Sequence, residues 1–279
     1  MASPDPARLS LNTATTKKQW SLAQAIEGCA RHGVQGISPW RDQIAEMGLA
    51  AAAREVRTNG LAVTGVCRGG MFPAADAAGR KAAIEDNLRA IAEGHALGAR
   101  CLVLVVGGLP GDSKDLAGAR EQVRDGIAAI LPAAHAAGVP LAIEPLHPMY
   151  AADRACVNTL DQALDLCDAL DADRTGVLGV AVDVYHVWWD PRLERAIERA
   201  GKPRLLAFHI CDWLVPTRDL LNDRGMMGDG AIDLPRIRGW MERAGYAGAH
   251  EVEIFSEHWW QRDPDELLRT IRERHKACC

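Results

Sequence analysis

Leu9-Ser10-Leu11-Asn12-Thr13-Ala14-Thr15-Thr16 begins as a strand-like run and passes into a polar junction that contains no glycine. Outward from it the chain repeats one theme. A short apolar or β-branched run is followed by a polar turn and then by an Ala-, Leu-, Glu- and Arg-rich stretch with helical period. Strands are expected near 8–12, 35–38, 61–66, 101–106, 139–144, 177–183, 204–210 and 249–255. Helices are expected near 21–32, 45–58, 77–97, 114–137, 159–169, 191–200, 233–244 and 263–275. Gly33, Gly60, Gly98, Gly138 and Gly245 stand where helices should end in a left-handed cap. Alternating strands and helices build either an open doubly wound sheet or a closed barrel. The open sheet carries a Gly-rich turn after its first strand, and residues 13–16 offer none. Eight such units in 279 residues fit an α/β fold of the (β/α)8 (TIM) barrel type. No linker-like or low-complexity stretch interrupts them, so residues 1–279 read as a single barrel domain.

Composition narrows the class. With 48% hydrophobic and 25% charged residues the chain has the apolar mass for a large core. A formal net charge of −5 argues against a general nucleic-acid binder. No apolar run approaches the roughly 18 residues that span a bilayer, and the start lacks the basic and apolar regions of a secretory signal. A cytoplasmic protein with no membrane partner is expected. The eight Cys are scattered without a CxxC pair, as expected of reduced, packed thiols, with Cys278-Cys279 as a frayed tail.

Four segments carry the chemistry: Ile143-Glu144-Pro145, Val182-Asp183-Val184-Tyr185-His186, Phe208-His209-Ile210-Cys211-Asp212 and Val252-Glu253-Ile254-Phe255. In each, an apolar run ends in an acid or an imidazole. Barrel active sites lie at the C-terminal ends of strands, so Glu144, Asp183, His209 and Glu253, on strands five to eight, should ring one point. Carboxylates gathered in this way are costly to bury unless a cation neutralises them. Two Glu, one Asp and one His suit a divalent metal; mixed oxygen and imidazole donors favour Mn2+, with Mg2+, Co2+ or Zn2+ as alternatives.

These segments resemble the xylose-isomerase-like barrel superfamily of sugar isomerases and epimerases. The C-terminal third is most similar to its inosose (2-keto-myo-inositol) isomerase branch. There Asn222-Asp223-Arg224 leads into Gly228-Asp229-Gly230-Ala231-Ile232-Asp233-Leu234, then Val252-Glu253-Ile254-Phe255, Trp259-Trp260 and Asp263-Pro264-Asp265-Glu266. The resemblance implies that Glu144, Asp183, His209 and Glu253 are the metal ligands. It also implies that His186 contacts the substrate oxygen being polarised, and that Arg224 binds substrate. Glu144 and Glu253 are taken as the acid/base pair from the resemblance and from their symmetric positions.

Other candidates come from the residues themselves. Asp212 completes an H-x-x-D pattern with His209, leaving open whether it orients His209, binds substrate or serves a second metal. Arg68, in Val66-Cys67-Arg68-Gly69-Gly70, is expected just after strand three as a substrate-binding residue or an exposed rim Arg. His147 is expected to line the pocket beyond Glu144. Glu251 shares the strand parity of Glu253 and should point inward one layer deeper. Trp40, with Trp188, Trp189, Trp213, Trp259 and Trp260, follows a strand end and suits an aromatic wall for a ring-shaped substrate.

The reading is a metal-dependent isomerase or epimerase that acts on a small keto-sugar or keto-inositol through an enediolate. A lyase on the same scaffold, an inosose dehydratase or a 3-keto-glycoside-eliminating enzyme, is the alternative. An abasic-site endonuclease would need more His than the nine present and a basic face, and a non-catalytic carbohydrate-binding barrel would not need the quartet. With no Gly-rich phosphate loop after strands seven and eight, a non-phosphorylated substrate is expected. Trp-bearing loops suggest a homodimer.

Overall fold

The computed structural model describes residues 3–279. Its parallel strands are β1 (Leu9–Asn12), β2 (Gly36–Ser38), β3 (Ala62–Val63), β4 (Val66–Gly70), β5 (Leu102–Val105), β6 (Leu141–Ile143), β7 (Leu178–Asp183), β8 (Leu205–Ile210) and, after a short antiparallel pair β9 (Asp212–Trp213) and β10 (Arg224–Gly225), β11 (His250–Val252). Their order is β3-β2-β1-β11-β8-β7-β6-β5-β4. Nine strands make an eightfold barrel because the expected third strand is broken in two. β3 pairs with β2 and β4 pairs with β5. Between them the backbone is stitched to strand two by Thr64 N–H to Ile37 O (2.9 Å) and Cys67 N–H to Pro39 O (3.2 Å). The break serves the polar interior: the Thr64 hydroxyl contacts Ser10 Oγ at 2.7 Å and donates to Glu251 Oε2 at 2.9 Å. Arg68 therefore lies within β4, not after a completed strand.

The principal helices are α1 (Leu22–Arg31), α2 (Arg41–Met47), α3 (Leu49–Thr58), α4 (Ala77–Leu97), α5 (Leu116–Ala137), α6 (Leu160–Leu170), α7 (Val184–Val187), α8 (Leu193–Arg204), α9 (Leu234–Arg243), α10 (Glu257–Trp260) and α11 (Pro264–Cys278). Ser21 and Thr159 start α1 and α6 with capping boxes. Gly98 and Gly138 end α4 and α5 in the left-handed conformation. The helix expected over 45–58 is instead α2 and α3, separated at Gly48, whose φ of 86° stops the helical ladder. The C-terminus is not frayed: α11 runs to Cys278 and Cys279 is buried. None of the eight Cys is bridged. No helix among the described residues is long and apolar enough to cross a membrane.

The core has two parts. A large apolar cluster fills the space between sheet and helices, whereas the lumen holds Cys67, Cys101, Val103, Ala142, Ala181 and Ala207. These small lumenal side chains leave room above them for acids and imidazoles at the strand ends.

At the opposite end, His250 in β11 and His275 in α11 are buried, with Nδ1 of the first 2.9 Å from Nε2 of the second. Burial pushes His250 down to about 3 and His275 down to about 4. The folded protein thus excludes protons that the unfolded chain takes up near pH 6.5, so the pair's contribution is present above that pH and is lost on acidification. Replacing both, in His250→Phe/His275→Leu, should stabilise the protein relative to wild type by about 2 kcal/mol more at pH 5.5 than at pH 7.5. Titrating groups shared by both proteins cancel in that difference. Parallel denaturation profiles across this range would show that the pair takes up protons while folded.

Candidate metal centre and catalytic pocket

Adjacent strands deliver the quartet to one height. Glu144 follows the last residue of β6, Asp183 ends β7, His209 lies within β8, and Glu253 follows β11. Asp183 pairs in register with His209, and His209 with Glu251. Glu144 N–H donates to Leu104 O (3.0 Å) and Glu253 N–H to Ile210 O (3.2 Å), extending the barrel ladder by one residue on each strand. One ligand atom from each of Glu144, Asp183, His209 and Glu253 lies within 4.8 Å of the other three, and all four side chains are buried.

The donor set fits a divalent cation. His209 Nδ1 stands 2.9 Å from Glu144 Oε1 and 3.9 Å from Glu253 Oε2. These contacts are ionic: neither ring nitrogen of His209 is aligned for a hydrogen bond, and Glu144 Oε1 accepts none. A buried polar atom without a hydrogen bond costs about 1–3 kcal/mol. A cation accepted by three carboxylates and an imidazole would satisfy them together. One layer deeper, Glu251 accepts from Asn12 Nδ2 (2.8 Å) and Thr64 Oγ1 (2.9 Å), and its Oε1 lies 3.3 Å from His209 Nε2. Glu251, the expected deeper acid, is thus the group that faces the far side of the imidazole.

The electrostatics follow from packing acids together out of water. Burial, reinforced by Glu144 and Asp183, raises the Glu253 carboxyl to about 8 against the opposing pull of Arg224 and His209. Burial also acts to raise Asp183, but Arg224, His186 and His209 outweigh it and hold this carboxyl below its ordinary value. For His209 burial favours the neutral ring, yet Glu251, Glu144 and Glu253 together raise it well above an ordinary imidazole.

Arg224 is buried against this cluster. Its Nη1 donates to Asp183 Oδ2 (2.9 Å) and Glu253 Oε2 (3.0 Å), and its guanidinium lies over Tyr185 and Phe255. The His186 ring is flanked at both nitrogens, Nδ1 lying 3.3 Å from the backbone N of His147 and Nε2 3.2 Å from Arg224 Nη2, and a neutral ring accepts from one of the two. Nε2 also lies 3.7 Å from Asp183 Oδ2. Burial pushes His186 down to about 3, so the ring is neutral. A cavity of about 330 Å³ opens above these groups, lined by Glu144, Glu253, His186, Arg224, Arg68 and Trp40, among others.

Two candidates take other positions. Asp212 does not contact His209; its carboxylate accepts backbone N–H groups from Trp213, Gly228, Gly230 and Ile232 at 2.8–3.0 Å. With both oxygens occupied, it holds the Gly-Asp-Gly turn that follows the Arg224 segment and is not a cavity-lining group. His147 stacks on Trp213 at 5.3 Å and supports His186 through its backbone, standing behind the wall. Of the six Trp expected near the mouth, Trp40 lines the cavity, while Trp213 packs on Tyr185 (4.6 Å) and Trp260 on Phe255 (6.1 Å). Sequence reasoning missed Asn12, whose Oδ1 accepts from Trp40 Nε1 (2.8 Å) while its amide holds Glu251. It also missed Tyr150, Tyr185 and Arg154. Asn12 ends its own strand on a polar side chain, the same signal that marked the quartet.

Acids and an imidazole thus converge at the ends of strands five to eight of a (β/α)8 barrel. The chain matches the profile of the Xylose isomerase-like TIM barrel family over residues 26–277 and belongs to that family. It is 24% identical over 286 residues to the inosose isomerase of Bacillus velezensis, covering 97% of this chain and 96% of that one. Among solved structures it resembles protein SMc04130 from Sinorhizobium meliloti 1021, with 61% identity, a TM-score of 0.96 and 99% of each chain covered. The IOLI protein, crystallised with a bound zinc atom, superposes with a TM-score of 0.82 at 20% identity over 96% of each chain.

If the quartet binds a cation only in the folded state, Mn2+ or Zn2+ at a hundredfold excess over its dissociation constant should add about 2.7 kcal/mol of stability. His209→Ala should lose that thermal shift. Glu253 holds a proton below about pH 8 that the cation must displace, so affinity should fall by up to about tenfold per pH unit on acidification from there. An equal thermal shift in His209→Ala would remove this residue from the ligand set.

Proposed function

We propose that this protein is a divalent-metal-dependent isomerase or epimerase of a small keto-sugar or keto-inositol, with Glu144, Asp183, His209 and Glu253 as metal ligands. The observation that carries the proposal is the placement of two carboxylates, Glu144 and Glu253, on the floor of one cavity with His186 and Arg224 beside them. The inosose isomerase relative supports the class of substrate.

When bound, the cation would act as a Lewis acid toward the carbonyl and the adjacent hydroxyl of a ketose. The chain's own groups would do the rest. His186 and Arg224, with Nε2 and Nη2 3.2 Å apart, both line the cavity, where they would hold a substrate oxygen and polarise it. One of Glu144 and Glu253 removes the proton from the carbon beside the carbonyl, giving an enediolate, and the other returns a proton. Return to the neighbouring carbon is isomerisation; return to the opposite face is epimerisation. Trp40 and Phe255, in edge contact at 5.6 Å, form an apolar side of the cavity against which a ring can lie.

With 2-keto-myo-inositol as substrate, Glu144→Gln and Glu253→Gln should each lower kcat by about 10²–10⁴-fold while circular dichroism shows an unchanged fold. His186→Ala should reduce kcat more than it raises KM, since its bond strengthens as charge develops on the oxygen. Turnover near the wild-type rate in either Gln variant would remove that carboxylate from the acid/base pair.

A further inference from the structure

The cavity has a second polar region, apart from the carboxylate floor, and it is cationic. Arg68, half-buried in β4, and Arg154, exposed in the turn after Tyr150, both line it. Among the described residues no carboxylate lies within ion-pair distance of either guanidinium, and neither guanidinium makes a hydrogen bond. By contrast Arg41 is held by Asp86 and Glu93, Arg204 by Asp171, and Arg224 by Asp183 and Glu253. Asp153, which lines the same rim, pairs with neither arginine. The Arg154 guanidinium carbon lies over the face of Tyr150, 5.3 Å from the ring centroid.

Leaving a half-buried guanidinium without an acceptor is unfavourable, and setting a second beside it adds repulsion. Burial, followed by the Arg154 charge, pushes the Arg68 guanidinium below its ordinary value; Glu144 is the carboxylate that opposes this most. Two unpaired forks opening into one cavity match the planar oxygens of a carboxylate or a phosphate, to which Arg donates in a bidentate manner. A neutral polyol would leave the half-buried Arg68 charge uncompensated.

We propose that Arg68 and Arg154 form an anion clamp at the rim of this cavity, and that the substrate is a keto-sugar or keto-polyol carrying an anionic group, a carboxylate or a phosphate ester, remote from the reacting carbonyl. This deepens the isomerase reading and, for the word substrate, rests on it. The reacting end of the molecule then lies on the floor at Glu144 and Glu253, and the anionic end at the rim. Binding energy from the rim would fix which carbon is presented to the two carboxylates.

The test measures binding and turnover separately on the full-length, metal-loaded protein. Calorimetric titration with D-fructose, D-fructuronate and D-fructose 6-phosphate compares one ketose framework in neutral, carboxylate and phosphate forms. At least one anionic form should bind about 10- to 100-fold more tightly than the neutral one, and which of them does so names the group. Arg68→Gln and Arg154→Gln should each lose most of that preference, and Arg68→Lys or Arg154→Lys should restore part of it. Equal affinity for all three ligands, no binding by any, or Gln variants that weaken all three alike would overturn the clamp. Turnover of the same ligands is followed by NMR. Anion binding that depends on both arginines without turnover would leave the clamp standing and count against the isomerase reading alone.

Discussion

Four carboxylates, those of Glu144, Asp183, Glu251 and Glu253, are buried around a single imidazole, and that concentration of negative charge is the constraint to which the rest of the site answers. In a medium less polar than water, like charges at these distances repel too strongly to be left alone. The chain meets this in three ways. Arg224 reaches in from β10 to neutralise Asp183 and Glu253. Asn12 and Thr64 give hydrogen bonds to Glu251. Glu253 retains a proton to about pH 8. Glu144 and His209 complete the balance as an ion pair 2.9 Å apart that is not aligned for a hydrogen bond.

Much of the fold exists to hold that arrangement still. The lumen beneath is packed with small residues such as Ala142, Ala181 and Ala207, so the acids stand on a layer that cannot shift far. The broken third strand places Thr64 where its hydroxyl meets Glu251. Asp212 gathers the 228–232 turn onto its carboxylate and so fixes the chain that follows β10, the element from which Arg224 projects. Tyr150 and Tyr185 both donate to Leu220 O, at 2.7 and 3.0 Å, tying the intervening loop over the same wall. Cavity, loop and cluster are mechanically one unit.

The strand ends were legible in the sequence because burial forces a clear contrast: an apolar run that stops at an acid or imidazole has few explanations in a barrel. Glu144, Asp183, His209 and Glu253 stood out for that reason, and the parity of Glu251 placed it one layer down. The split of strand three was hidden, since Ala62-Val63-Thr64-Gly65-Val66 has strand propensity throughout and the break depends on a partner nearly two hundred residues away. The position of Asp212 was hidden for a similar reason. H-x-x-D spacing describes local proximity to His209, whereas four backbone N–H groups from a later turn outcompete the imidazole for its oxygens. Arg154 lies in a loop with no periodicity to mark it, and an arginine shows itself unpaired only when its neighbours are known.

Proton abstraction and return beside a carbonyl is tested most directly by proton NMR of the metal-loaded protein in D₂O with a panel of inososes, ketohexoses, ketopentoses, 3-keto-glycosides, D-fructuronate and D-fructose 6-phosphate. The account predicts deuterium at the carbon next to the carbonyl, accompanied by a new isomer or epimer of at least one panel member. Loss of a substituent without an isomer would move the assignment to a lyase, and the absence of exchange with every ketone in the presence of bound metal would contradict the enediolate chemistry itself.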